Sequence, residues 1–213
     1  VDNFDFHALF QQLHNFCAVD LSAFYFDMRK DVLYCDSFDS LRRRATRTVL
    51  DILFNSLTTW LAPILCFTAE EAWQARVKNS KDSVHLKTFM EIPKDWNNKK
   101  LAQKWDLIRD VRKVVTGALE IERAEKRIGS SLQAKPTVYL TSDAVAALEG
   151  LDAADIFITS GVTLVESEPP ANAFTLEEVA GVGVVQGSAD GTKCERCWKI
   201  LPEVGANNEP VCD

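Results

Sequence analysis

Apolar residues recur every three or four positions as far as Arg127 and then give way to short β-branched runs, which predicts helices followed by a small mixed module. Phe6, Leu9, Phe10, Leu13, Phe16 and Cys17 fall on one helix face. Leu21, Phe24, Tyr25, Met28 and Leu33, interleaved with Asp27, Arg29, Lys30 and Asp31, continue as helix or turn. Leu41, Ala45, Val49, Ile52, Leu53, Leu57 and Trp60 form a longer stripe, read as inward-facing, behind the cap-type residues Ser37, Asp39 and Ser40. That helix must end or kink near Ala62-Pro63, because proline lacks a backbone donor and clashes with the preceding turn. Thr68-Ala69-Glu70-Glu71 has capping-box spacing and predicts a helix start running through Ala72 and Trp73. Lys99 to Arg127 predicts a long helix with Leu101, Trp105, Ile108, Val115 and Leu119 inward. Helices joined by short connections make a bundle.

The pattern changes after Gly129-Ser130-Ser131. Thr137–Leu140, Ile156–Ile158 and Val162–Val165 predict strands, Ser142 to Leu148 an Ala-rich helix, and Val182 to Gln186 one further strand. Glu166 to Ala173, with Pro169-Pro170, predicts a loop. The expected fold is mainly α: a helical bundle over 1–131, a small α/β junction module over 132–188, and a truncated zinc knuckle over 189–213.

Composition narrows the class. At 213 residues and 46% hydrophobic, the chain can bury a sizeable core or two small ones. No apolar run approaches the roughly 20 residues of a membrane span, and no charged-then-apolar leader stands at the start, so no membrane association is expected. Three of the six cysteines (Cys17, Cys35, Cys66) are isolated and three crowd the tail, which is not a disulfide framework and fits a reducing cytoplasm. A net charge of −7 and a pI near 5.1 argue against indiscriminate coating of nucleic acid and leave room for local basic patches, the pattern expected if a single surface meets RNA.

The chemistry concentrates in that tail. Cys194 and Cys197, two residues apart, can grip one tetrahedral metal from a tight turn, and Cys212 follows fifteen residues on. Zn²⁺ takes four ligands, so the sequence reads as a piece of a longer protein cut inside a knuckle, with Val1 in place of an initiator Met at the other end. Arg42, Arg43, Arg44 and Arg47 crowd the first turns of a predicted helix, where the macrodipole disfavours positive charge. Arg43, Arg44 and Arg47 point away from the apolar stripe and are candidates for phosphate contact or for pairing with Asp36, Asp39 or another helix's carboxylate. Arg42 falls on the inner side, where a buried pair is expected. Arg109, Lys113 and Arg127 share a face of the long helix, interrupted by Glu120, for which a solvated face is the default reading beside RNA contact. Trp198 stands between Arg196 and Lys199, an aromatic-cation pattern that suits either stacking on an unpaired base or packing on the metal loops. No glycine-rich phosphate loop, nucleophile elbow or His-Glu-x-x-His occurs, and His7, His14 and His85 are scattered, so no catalytic residue is assigned.

Ser22 to Cys35, the Arg42-Arg43-Arg44 block and Leu61 to Trp73 together resemble the anticodon-binding region of class I aminoacyl-tRNA synthetases. Phe24-Tyr25-x-Asp27-x-x-Lys30-Asp31-x-Leu33-Tyr34 is similar to the isoleucyl form, Gly129 to Ala134 resembles a family turn that usually has Glu where Gln133 stands, and Lys193 to Trp198 with Val204-Gly205 and Cys212 resembles the C-terminal zinc peptide of bacterial isoleucyl-tRNA synthetases. The resemblance implies a second Cys-x-x-Cys pair, with its last ligand two positions past Asp213. It further implies a monomeric cytoplasmic ligase that joins isoleucine to its tRNA. In such an enzyme ATP and Mg²⁺ serve a catalytic domain, and an editing domain stands apart; neither domain's motifs occur here. This region would bind the anticodon stem-loop, partnered by tRNA and the enzyme's own other domains rather than DNA, and would be inactive alone. The alternatives are the matching part of a valyl or leucyl enzyme, or a non-enzymatic helical scaffold whose zinc knuckle binds nucleic acid or protein.

Overall fold

A computed structural model describes residues 5–78, 81–205 and 210–212. The chain divides into two compact units, Val1–Asp31 with Lys99–Asp213, and Val32–Asn98. Helices dominate, as expected. The first helix, α1 (Phe6–Asn15), is capped by Asp5, whose carboxylate accepts the Ala8 N–H at 3.0 Å. Its backbone continues without a break through a π-helical segment, Phe16–Phe26, into α2 (Asp27–Cys35), so the two apolar stretches of the sequence form one helical rod.

Within Val32–Asn98, α3 (Leu41–Leu61) starts at the N-cap Ser40, whose hydroxyl accepts the Arg43 N–H, and stops just before Ala62-Pro63. Its buried positions are not the expected stripe. Thr46, Ser56, Thr58 and Thr59 are the residues out of solvent, while Leu41 and Val49 are exposed. The threonine hydroxyls donate to carbonyls one turn back, Thr46 to Arg42, Thr58 to Phe54 and Thr59 to Asn55, so burying them leaves no polar group unpaired. The expected capping box is also displaced. Helix α4 (Cys66–Val77) begins two residues before Thr68, at an N-cap Leu65 that makes no side-chain bond. Glu70 accepts instead from Gln74, from the Ser83 hydroxyl at 2.8 Å and from the Val84 N–H at 2.9 Å. Those bonds, Gln74's foremost, hold its carboxyl below the ordinary value. A small core of Ala62, Ala69, Trp73 and Val84, with Phe54 stacked on Trp73, closes this unit.

In the other unit the long helix is α5 (Lys99–Ala124), and Ile108, Val111, Val114, Val115, Ala118 and Leu119 line its buried side. Trp105 is half-buried, and Leu101, read as inward, is exposed. The helix ends before Arg127 because Lys126 takes a left-handed φ of 60°, letting the Arg127 and Lys126 N–H groups bond back to the Glu122 and Arg123 carbonyls. This is the six-to-one and five-to-two pattern of a glycine stop, built here on lysine. Lys126→Gly is therefore expected to stabilise the chain by about 0.5–1 kcal/mol, read as a raised urea midpoint with unchanged slope.

Beyond α5 come β1 (Thr137–Leu140), α6 (Ser142–Leu148), α7 (Ala153–Phe157), β2 (Thr163–Glu166), β3 (Phe174–Leu176) and β4 (Val179–Val185). The sheet order is β2-β1-β4-β3; β1 runs parallel to β2 and antiparallel to β4, with Val138 opposite Val184. Val138, Leu140, Val182 and Val184 join the α5 and α6 residues in one core. Ile156–Ile158, expected as a strand, belongs to α7. Asp152 caps that helix through the Asp155 N–H, and Ile158 ends it at φ 57°. The β3–β4 hairpin lengthens β4 beyond the expected Val182 to Gln186, and the Pro169-Pro170 loop lies against Gly183, where an added Cβ would fall 2.5 Å from Pro169. Two short strands, β5 (Thr192–Lys193) and β6 (Ile200–Leu201), close the chain's described part. Among the described residues no helix is long and apolar enough to cross a membrane.

Candidate functional site

Strands β5 and β6 pair antiparallel, Thr192 with Leu201 and Lys193 with Ile200, and hold the Cys194-to-Lys199 turn between them. Glycine is needed at 191. Its φ is +125°, and a Cβ there would sit 2.3 Å from the Leu201 carbonyl. The turn closes through Cys194 N–H to Lys199 O at 2.8 Å and Trp198 N–H to Cys194 O at 3.0 Å, while Glu195 N–H to Pro210 O at 2.9 Å draws in the segment that carries Cys212.

The three sulfurs of Cys194, Cys197 and Cys212 lie within 4.8 Å of one another, and the Cys194–Cys212 and Cys197–Cys212 Sγ pairs are each 3.6 Å apart. Sulfurs at tetrahedral corners 2.3 Å from a zinc ion stand about 3.8 Å apart, so the donor set has the right chemistry and spacing for three ligands of such a site. Backbone N–H groups of Arg196, Cys197 and Cys212 all point at Cys194 Sγ at 3.4 Å. Burial alone would push the Cys194 thiol up, yet those three donors outweigh it and hold the thiol down at about 6. Cys197 goes the other way: burial raises it, and the neighbouring Cys194 and Cys212 sulfurs raise it further over the pull of the Lys199 N–H. The cluster can hold a metal ion. Asp213 lies outside the described residues.

The turn is anchored to the rest of its unit by a half-hidden ion pair. Lys199 Nζ sits 2.6 Å from Asp155 on α7, both side chains largely out of solvent, and Ile200 N–H donates to the Ser160 hydroxyl at 2.7 Å. Lys199, a candidate RNA contact by sequence, thus has its charge committed internally; its ammonium is raised by Asp155 although burial opposes it. Asp31, near the same pair, is raised by burial against the pull of Lys199 and Lys30.

Trp198 is 62% exposed and adopts φ 68°, a region that favours glycine, with Lys193 Nζ 5.3 Å from its ring centre. Arg196 is exposed but donates to the Cys212 carbonyl at 2.6 Å. On α5, Arg109 pairs with Asp20 at 2.8 Å and lies over Phe24, Lys113 pairs with Glu178 at 2.8 Å, and Arg127 meets Glu122 through two bonds of 2.6 and 2.7 Å and also pairs with Glu125. The arginine block behaves differently from its wheel position. Arg43, expected outward, is half-buried, donates to the Asp36 carbonyl at 2.7 Å and packs under Phe38. Arg42, expected in a buried pair, is exposed and 4.0 Å from Asp36. The reason is the Asp36-to-Ser40 turn, whose Asp36 carbonyl and Phe38 ring engage Arg43 while only the Asp36 carboxylate faces the exposed Arg42. Arg44 and Arg47 are exposed, with no ion pair among the described residues.

One functional group of this unit is absent from the sequence reading. Arg112, only 14% exposed, donates to Ile156 O at 2.9 Å, Ala23 O at 3.3 Å and Asp27 Oδ2 at 3.1 Å, joining α5 to α7, the π-helical segment and α2. The available signal was its position four residues after Ile108, on the border of the buried stripe.

Comparison with known proteins adds a family. A sequence model described as the anticodon-binding domain of tRNA ligase matches residues 1–138. The isoleucine–tRNA ligase of Agrobacterium fabrum is 55% identical over 207 residues, 97% of this chain and 21% of that protein. That of Ruegeria pomeroyi is 55% identical over 203 residues (95% and 21%), and that of Bartonella henselae 50% over 207 (97% and 21%). The chain therefore spans about a fifth of the length of these relatives.

Proposed function

The chain belongs to the family of tRNA-ligase anticodon-binding domains, and from that premise we propose that it is the tRNA-recognising part of an isoleucine–tRNA ligase, binding the anticodon stem-loop and completing its tip with a zinc knuckle. The observation that carries this reading is the family match over 1–138 joined, in one chain, to the three-thiol cluster beyond it. The helical units would lie along the stem and the knuckle would approach the loop, where splayed bases are read by stacking and edge hydrogen bonds while cations fix register on phosphates. Zinc suits the thiol set, and Cys194, Cys197 and Cys212 would hold it with a fourth donor. Held there, the ion would lock the turn that presents Trp198.

Of the cationic and aromatic candidates, Arg44, Arg47 and Trp198 have the freest side chains, and we assign them the RNA contacts. Arg109, Lys113, Arg127, Arg196 and Lys199 already serve internal partners. Attachment of isoleucine to tRNA would belong to the complete ligase, with ATP and Mg²⁺ bound elsewhere in it. In that ligase Trp198→Ala is expected to lower kcat/KM for charging isoleucine tRNA by roughly 5- to 100-fold, the cost of one lost base stack, while isoleucine-dependent ATP–pyrophosphate exchange stays at the wild-type rate. Equal loss in both assays, or in neither, would refute the assignment.

A further inference from the structure

Outside the knuckle, the turn between α2 and α3 carries a group of features that its fold does not require. Tyr34, Phe38 and Leu41 are 82%, 82% and 78% exposed within eight residues. The Phe38 ring is nevertheless held in place: the Arg43 guanidinium lies 4.5 Å from its centre, and Arg43 is itself fixed by the Asp36 carbonyl. Arg43 Nε is buried with no hydrogen-bond partner among the described residues, and the guanidinium carbon lies over the ring. An exposed cation–π contact contributes too little to explain an otherwise uncovered phenylalanine. The outer face of the ring remains open.

We propose that Phe38, backed by Arg43, is a stacking platform for one unpaired base of the tRNA, distinct from the metal knuckle. Charge selects this occupant. Residues 34–47 hold four arginines against two aspartates in a chain of net charge −7. Of those two acids, Asp36 is occupied by the Ser40 hydroxyl at 2.8 Å and by Arg42. Arg44 and Arg47 stand exposed in the first two turns of α3, the helix that follows the Phe38 turn, and such cations suit the phosphates of a nucleotide whose base stacks there. The inference rests on the tRNA-binding reading but uses none of the residues that reading assigns to stacking.

The test is titration of the full chain against two fluorescently labelled RNAs, an isoleucine-tRNA transcript and a fully paired hairpin closed by a stable tetraloop. Phe38→Ala and Phe38→Leu are expected to weaken tRNA binding by roughly 5- to 100-fold, Phe38→Trp to retain it, and all three to leave hairpin binding unchanged. Arg44→Ala should lower the salt slope by about one, whereas Phe38→Ala should leave that slope as in wild type. Unchanged tRNA affinity in Phe38→Ala, or tolerance of leucine, overturns the platform while leaving the tRNA-binding reading intact. A wild-type chain that binds neither RNA overturns both.

Discussion

Cys194→Ser is expected to reduce zinc affinity by more than the roughly 10–100-fold that removal of an outer ligand partner costs, because it deletes the sulfur on which three backbone N–H groups converge. Serine keeps the size of the side chain and loses the soft anion that the ion requires. Competition against a chromophoric chelator measures the loss, and the thiolate-to-Co²⁺ charge-transfer band of the cobalt-substituted chain reports how many sulfurs remain bound. The pH dependence has a definite sign. With Cys197 pushed up by burial and its sulfur neighbours, binding at neutral pH must displace at least its proton, so apparent affinity should rise at least about tenfold per pH unit. Below about 6 the Cys194 thiol is protonated as well, and the dependence should steepen by one further proton. Amides of β5 and β6 should lose hydrogen-exchange protection in the serine variant, since the hairpin has only four strand residues of its own. Wild-type stoichiometry and a flat pH profile in that variant would remove the cluster from consideration as a metal site.

The three-thiol cluster was legible in the sequence because two cysteines two residues apart in a tight turn bring their sulfurs together whatever the rest of the fold does. Helix α5 was legible for a related reason: its stripe from Ile108 to Leu119 has one dominant buried face. Where the reading failed, the competing physics was local polarity satisfied in ways a periodicity count ignores. Thr46, Thr58 and Thr59 can be buried because their own helix takes their hydroxyls, so on α3 these threonines lie deeper than the expected stripe, of which Ile52, Leu53, Leu57 and Trp60 are half-buried. Ile156 to Ile158 is as β-branched as a strand, but the Asp152 cap three residues ahead of Asp155 nucleates a helix first. Arg43 could not be told from Arg42 because its fate depends on the path of a five-residue turn, which no single-helix wheel contains.

Arg112→Met is expected to destabilise the chain by about 2 kcal/mol, a large effect for a single charge outside the thiol cluster. The methionine fills most of the volume, so the loss measures polar groups and not a cavity. The Ile156 carbonyl would lose its donor in a part-buried site, at a cost on the order of 1 kcal/mol or more, whereas water can replace the guanidinium at the exposed Ala23 carbonyl. Asp27 contributes less, because at 37% exposure water can replace part of what the guanidinium supplies. Burial already pulls the Arg112 guanidinium below its ordinary value against the support of Asp27, the signature of a cation kept inside by its bonds. Arg112→Lys should recover only a minority of the loss, since a single ammonium cannot span three acceptors arranged around a planar fork. The neighbouring Arg109→Met supplies the contrast: its pair with Asp20 is more than a third exposed on both sides, so less than about 1 kcal/mol is expected. Urea unfolding of the three variants decides the matter, and equal small shifts for Arg112→Met and Arg109→Met would mean that α5, α7 and the π-helical segment are held together by apolar packing alone.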